Sequence, residues 1–254
     1  MKPLALPDSF LRRPIAHRAL HDRDAGRPEN SREAVRAAVE RGYGIEIDLQ
    51  LSRDGEAMVF HDYDLRRLTG KNGPLAQETA ASLASYTLLT GESGIPSLRE
   101  VLALVNGRVP LLIEIKDQDG MMGENTGALE VATARALTNY AGDVALMSFN
   151  PHAVAACGRL MPTRPRGLTT CAYSSADWPL LPDALRRKLA QIPDFERVGA
   201  SFVSHDRKDL DAARVRDLKS CNTPILCWTI RTPEQEAEAR KIAENVTFEG
   251  YLPA

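Results

Sequence analysis

The chain has 254 residues, of which 43% are apolar and 26% charged, and its formal net charge is −2. That composition supplies a sizeable core and excludes disorder as the main state, while 32 basic against 34 acidic residues leave no electrostatic footprint for nucleic acid. No apolar run approaches the ~20 residues of a membrane-spanning helix, and Pro3, Pro7, Asp8, Arg12, Arg13 and Pro14 interrupt what a secretory leader would need as an apolar core.

The expectation is therefore an unprocessed cytoplasmic protein with no stable membrane insertion. Cys157, Cys171, Cys221 and Cys227 form no CxxC pair and have no histidine at zinc-finger spacing, which argues against structural zinc and redox chemistry.

Strand-like runs then alternate with stretches of helical spacing. A first strand is predicted over 14–17. A helix over 31–41 places Ala34, Val35, Ala38 and Val39 on one face, with Asn30 as candidate N-cap and Glu33 three residues on. Strands follow at 44–49 and 57–61, the latter introduced by the turn pair Asp54-Gly55. The stretch 62–95 is rich in Thr, Ser and Gly and carries only a weak helix at 77–83. Such a length between core elements usually bears function or forms an insertion, here read as a lid or side wall.

Ser97 and Glu100 form a capping-box signal for a helix over 98–105. Strand 111–116, helix 128–140, strands 144–148 and 167–170, helix 184–191, strand 200–204, helix 210–218 and strand 225–229 come next. A helix opened by Thr232-Pro233-Glu234-Gln235 and a candidate ninth strand at 246–251 complete the series. This alternation predicts βα units in a parallel sheet. Eight strands plus a ninth candidate favour a (β/α)8 TIM barrel, with one candidate outside the ring and a small insertion after strand 3. The open dinucleotide-binding alternative lacks a GxGxxG after its first strand. Too few residues join the second and third strands for a crossover helix, so 49–53 is expected to descend the barrel wall as an extended segment before the chain turns upward. No repeat or linker divides the chain, and 1–254 reads as one domain.

Glu46 and Asp48, two residues apart on a strand, share one face, while Ile45, Ile47 and Leu49 share the other. Two acids turned into a barrel need a cation or a proton. Strand 111–116 repeats the pattern with Glu114 and Lys116. Any one such carboxylate commonly just pairs with an arginine or caps a helix. Three at one barrel mouth, with no Cys or His among them, describe an oxygen-ligand site for Ca2+ or Mg2+.

His17 and His61 close the first and third strands, where barrels gather catalytic groups, and an unperturbed pKa of about 6.5 suits an acid/base pair. His21, His152 and His205 take a structural or surface reading. Arg18 and Lys116 supply cationic donors suited to phosphate or carboxylate. Trp228 offers an aromatic face either to the core or to a small polyol or choline-like head group.

His17-Arg18, Pro28-Glu29-Asn30-Ser31, Glu46-Ile47-Asp48-Leu49 with Ser52-Arg53-Asp54-Gly55, Val59-Phe60-His61-Asp62, Ile113-Glu114-Ile115-Lys116, Ser148-Phe149-Asn150-Pro151 and Trp228-Thr229-Ile230 occur in a fixed order. In order and approximate spacing this series resembles the glycerophosphodiester phosphodiesterases over nearly the whole chain. The resemblance implies a TIM barrel that hydrolyses a small-molecule glycerophosphodiester to glycerol 3-phosphate and an alcohol with a bound divalent metal. It further implies metal ligation by Glu46, Asp48 and Glu114, acid/base roles for His17 and His61, phosphate contacts from Arg18 and Lys116, and Trp228 on the glycerol side. Asn30 falls in a family motif near the site as well as at a helix start. The nucleophile is water or a neighbouring glycerol hydroxyl.

Two departures stand out. Ala19 replaces a glycine common in the family, which makes a positive φ costlier there, and the tail lacks the usual Gly-Ile-x-Thr-Asp ending. A lysophospholipase D or phospholipase C-like enzyme, and a non-catalytic barrel that binds a phosphorylated polyol, are the competing readings.

Overall fold

A computed structural model describes residues 4–253. Eight parallel strands form a closed ring: β1 (Ile15–Ala16), β2 (Gly44–Leu51), β4 (Leu111–Ile115), β5 (Val144–Ser148), β6 (Arg166–Thr170), β7 (Phe202–Asp206), β8 (Ile225–Ile230) and β9 (Asn245–Phe248). Pairing of β1 with both β2 and β9 closes it. The extra strand is β3 (Ala57–Val59), which pairs antiparallel to β2 with Leu49 opposite Val59 and Leu51 opposite Ala57. This is the candidate that lies outside the ring, and it corrects the expected extended descent: β2 overshoots the barrel rim and folds back as a hairpin, so no crossover is required. The returning arm sets the Phe60 amide 2.9 Å from the Asp48 carbonyl, which delivers His61 beside Asp48.

Outward-facing Ile45, Ile47 and Leu49 pack with Val35, Val39, Leu98 and Val101 of the helices Arg32–Arg41 and Leu98–Val105. Inward-facing Ile15, Leu112, Ala145, Met147, Phe202 and Leu226 fill the lower barrel. The short helix Ser9–Arg12 seals the bottom with Phe10, held there as Asn245 donates to the Phe10 and Arg13 carbonyls at 2.6 and 2.7 Å. The apolar lower layers leave only the upper, C-terminal end of the ring for chemistry.

The capping box of Ser97 and Glu100 forms as expected. Asn30 is not the cap of the helix over Arg32–Arg41: the Ser31 hydroxyl accepts from the Ala34 amide at 3.1 Å, and Asn30 is released for another partner. A helix at Pro151–Leu160, capped by Asn150, fills the gap that sequence periodicity left between β5 and β6. The helix expected at 210–218 starts later, at Ala213, after a 3-10 turn over Arg207–Asp209. β7 likewise begins two residues later than predicted, and β9 ends at Phe248 rather than at 251. Among the described residues, no helix is long and apolar enough to cross a membrane.

Phe10→Ala should lower the unfolding free energy by about 3–4 kcal/mol, because a fully buried aromatic ring is lost between the barrel floor and the short helix. Urea unfolding of the two proteins measures this.

Candidate active site

The in-register pairing of Asp48 with Glu114 across β2 and β4 sets two carboxylates side by side, and Glu46 follows on the same face of β2. All three are buried, and one oxygen from each lies within 4.8 Å of the others. Like charges packed this closely out of water repel strongly, so the surrounding cations govern their state. Lys116, just past β4, puts its Nζ 2.8 Å from Asp48 Oδ1 and 2.5 Å from Glu114 Oε1. The Arg18 amide donates to Glu46 Oε2 at 2.8 Å, and its Nε lies 3.5 Å from Asp48 Oδ2. Asn30 donates to Asp48 Oδ2 at 2.9 Å.

Burial works against the Asp48 charge, yet Lys116, His61 and Arg18 outweigh it and hold that carboxyl well below the usual range. Glu46 goes the other way: burial, then the charges of Asp48 and Glu114, push its pKa well above normal. Three oxygen donors whose charge is incompletely neutralised fit a hard divalent cation, which would relieve the repulsion that otherwise favours a proton on Glu46. The donor set contains no sulfur or imidazole, which matches Ca2+ or Mg2+ chemistry better than zinc.

Both predicted histidines line the same cavity of about 190 Å³ as the acids, together with Arg18, Lys116 and Trp228. Each imidazole is held from behind by a carboxylate. His17 Nδ1 is 2.5 Å from Glu249, which follows β9, and His61 Nδ1 is 2.8 Å from Asp62. With Nδ1 engaged, Nε2 of each ring remains for chemistry. Burial lowers the His17 pKa, against the opposing pull of Glu249. Glu249 also receives Arg231 at 2.7 Å and lies 3.5 Å from His21.

Asp62 is in turn held by Arg67 at 2.6 Å, Arg67 donates twice to Glu29 at 2.8 Å, and Glu29 accepts from Arg18 at 2.7 Å. A continuous chain of charged groups thus runs from His61 through Asp62, Arg67, Glu29 and Arg18 to Asp48. Arg67 belongs to the helix Arg66–Thr69 in the 62–95 insertion, so that segment braces the site.

The model of the glycerophosphoryl diester phosphodiesterase family matches residues 17–246, from the first histidine into β9. The chain belongs to this family. A Bacillus subtilis protein, YqiK, is 30% identical over 150 residues, covering 56% of this chain and 61% of its own length. The glycerophosphodiester phosphodiesterase of Bacillus altitudinis is 40% identical over 96 residues, 35% of this chain and 39% of its own. Both alignments span less than two thirds of the relative. A phosphodiesterase of Oleispira antarctica, solved with the product sn-glycerol-3-phosphate, superposes with a TM-score of 0.76 at 24% identity, covering 95% of this chain and 94% of that one.

In this glycerophosphoryl diester phosphodiesterase family member the nine predicted site residues separate by position. His17, Arg18, Glu46, Asp48, His61, Glu114, Lys116 and Trp228 line the one cavity. Asn30 stands behind it, bonded to Asp48. Sequence reasoning missed Glu249, Asp62, Glu29 and Arg67 as members of the site. Asp62 and Glu29 lie inside recognised motifs, and Glu249 directly follows a strand at the upper rim, where barrel sites form; those are the signals that would have found them. Among these, burial opposes the Glu29 charge, but the hydrogen bonds of Arg67 and the charge of Arg18 bring its pKa down to about 2.

A depressed carboxylate pKa stabilises the fold fully above the unfolded value and loses that contribution as pH falls through the folded one. Glu29→Gln should therefore cost about 2 kcal/mol at pH 7, and the gap to the parent protein should close between about pH 4.5 and pH 2. Thermal melts of both proteins across that range read it out.

Proposed function

We propose that this protein hydrolyses glycerophosphodiesters to glycerol 3-phosphate and an alcohol. The observation that carries the reading is the convergence of three buried carboxylates within 4.8 Å in a cavity that also presents Arg18, Lys116 and two carboxylate-held imidazoles. Family membership and the fold shared with a product-bound phosphodiesterase support it.

Glu46, Asp48 and Glu114 would hold a divalent cation, Ca2+ or Mg2+. Such an ion supplies Lewis-acid polarisation of a phosphate oxygen and orients the diester. The remaining work falls to the chain's own groups. The Arg18 guanidinium lines the cavity and offers its positive charge to a phosphate oxygen. Lys116 adds a second positive charge where negative charge develops on the phosphoryl group. His17, its pKa lowered by burial, is the base whose Nε2 takes the proton from the attacking water, or from the neighbouring glycerol hydroxyl where a cyclic phosphate forms first and water then opens it. His61 protonates the departing alkoxide, its ring fixed by Asp62. Trp228 gives the retained glycerol a flat apolar wall, with its Nε1 already committed to the Ser204 carbonyl at 3.0 Å. We read 1–254 as one catalytic domain working in a reducing, cytoplasmic setting, which suits its four unpaired thiols.

His17→Ala and His61→Ala should each reduce kcat on glycerophosphocholine by about 10²–10⁴-fold, with melting temperature and metal affinity nearly unchanged. Glu114→Gln should weaken metal binding as well as turnover, as isothermal titration with Ca2+ or Mg2+ would show. Full activity in excess chelator would overturn the metal assignment.

A further inference from the structure

The site described above opens into a second, larger cavity of about 720 Å³ that shares His61, Glu114, Lys116, Phe149 and Trp228 with the inner one. The two differ in chemistry. Across the inner cavity from the acids, the hydroxyls of Thr169, Ser204 and Thr247 are buried and have no hydrogen-bond partner. A hydroxyl can both donate and accept, so this wall matches the hydroxyls of a polyol. Leaving such groups unpaired is costly, which makes the inner cavity the place for the glycerol end of a diester.

The outer cavity is aromatic and acidic. Phe149 stands with its ring centroid 5.0 Å from that of Trp178 and 5.6 Å from that of Trp228, and all three rings border the space. Asp64, Asp117, Asp177 and Asp206 border it too; each accepts from a neutral amide or hydroxyl, and none has its charge met by an ion pair among the described residues. Lys116 is already held by Asp48 and Glu114, so Lys208 is the one uncommitted ammonium on the wall among the described residues. Four carboxylates against one ammonium make a poor seat for a phosphate and a good one for a cation. Aromatic faces add to this, since their quadrupoles attract ammonium groups and most of all quaternary ones.

We propose that the outer cavity is the leaving-alcohol subsite and that it selects a cationic amino alcohol over a neutral polyol. This rests on the hydrolytic reading above and deepens it: the preferred substrate is zwitterionic, with its phosphate at Arg18 and Lys116 and its ammonium between the Phe149 and Trp178 rings and the aspartates.

The test compares kcat/KM for glycerophosphocholine and glycerophosphoglycerol in the parent protein, in Trp178→Leu and in the double variant Asp64→Asn/Asp177→Asn, whose two positions are exposed and safe for folding. The parent should favour the choline ester by about tenfold. Trp178→Leu should lower kcat/KM for the choline ester more than for glycerophosphoglycerol, and so remove most of that preference. The double variant should lessen it in the same direction, as should raising the salt to about 0.5 M. Equal kcat/KM for the two esters, or equal losses on both in the variants, would overturn the assignment. Faster turnover of lysophosphatidylglycerol than of either would give the cavity to an acyl chain and overturn it too. Hydrolysis of neither ester would instead defeat the catalytic reading. Tryptophan-fluorescence titration with the same two esters then decides the subsite without turnover, tighter binding of the choline ester supporting it and equal binding overturning it.

Discussion

Three carboxylates buried at one end of a barrel are the constraint around which the rest of the molecule is arranged. Such a cluster is unstable unless positive charge is close, and each nearby element answers that need. β4 runs on into Lys116, the segment after β1 contributes Arg18, and Asn30 donates to the carboxylate that bears the firmest charge. The lower barrel compensates with layers that contain almost no polar atoms, capped by Phe10. Polarity is concentrated at one end and apolar burial at the other, which lets a single core hold both.

The same logic explains the insertion over 62–95. Its Leu65, Leu75, Leu83 and Ile95 pack with Met58 of β3 and with Phe60 into a small core, so it is a folded unit and not a loose loop. What it delivers to the site is Arg67, which bridges Asp62 behind one histidine and Glu29 beside Arg18. One guanidinium therefore couples the orientation of His61 to the placement of Arg18, through planar two-point contacts that a lysine would not reproduce. On the other side of the mouth Glu249 performs the matching service for His17.

Much of this was legible in the sequence because it depends on local periodicity. The alternation of Glu46 and Asp48 with isoleucines placed two acids inward, and the capping box fixed the start of the helix Leu98–Val105. The illegible parts are those decided by partners far along the chain. Asn30 and Ser31 are both competent caps, and only the bond from Asn30 to Asp48, eighteen residues away, settles which of them does the capping. The β2–β3 hairpin was misjudged because short spacing excludes a crossover helix without stating which way the next strand runs. The helix Pro151–Leu160 is rich in small residues, Ala153, Ala155, Ala156 and Gly158, which blurs its apolar stripe. Glu249 is separated from His17 by 232 residues, and its place just after β9 was hidden because the predicted strand ran on to 251.

Backbone strain at the mouth follows from the same demand for charge compensation. Arg18, Ala19 and Asn30 all adopt positive φ, at 51°, 64° and 56°. A left-handed alanine costs roughly 1 kcal/mol or more where glycine would pay little, and Ala19 has no side-chain hydrogen bond to offset it. The conformation persists because it turns three amides to use at once: Arg18 donates to the Glu46 carboxylate, Ala19 to the Glu46 carbonyl, and Asn30 to the Arg18 carbonyl, at 2.8, 2.9 and 2.8 Å. The Arg18 amide is a fixed dipole aimed at the carboxylate least neutralised by side chains. A relaxed backbone at these residues would turn that donor away, so the strain is what keeps Glu46 in place beside Asp48 and Glu114.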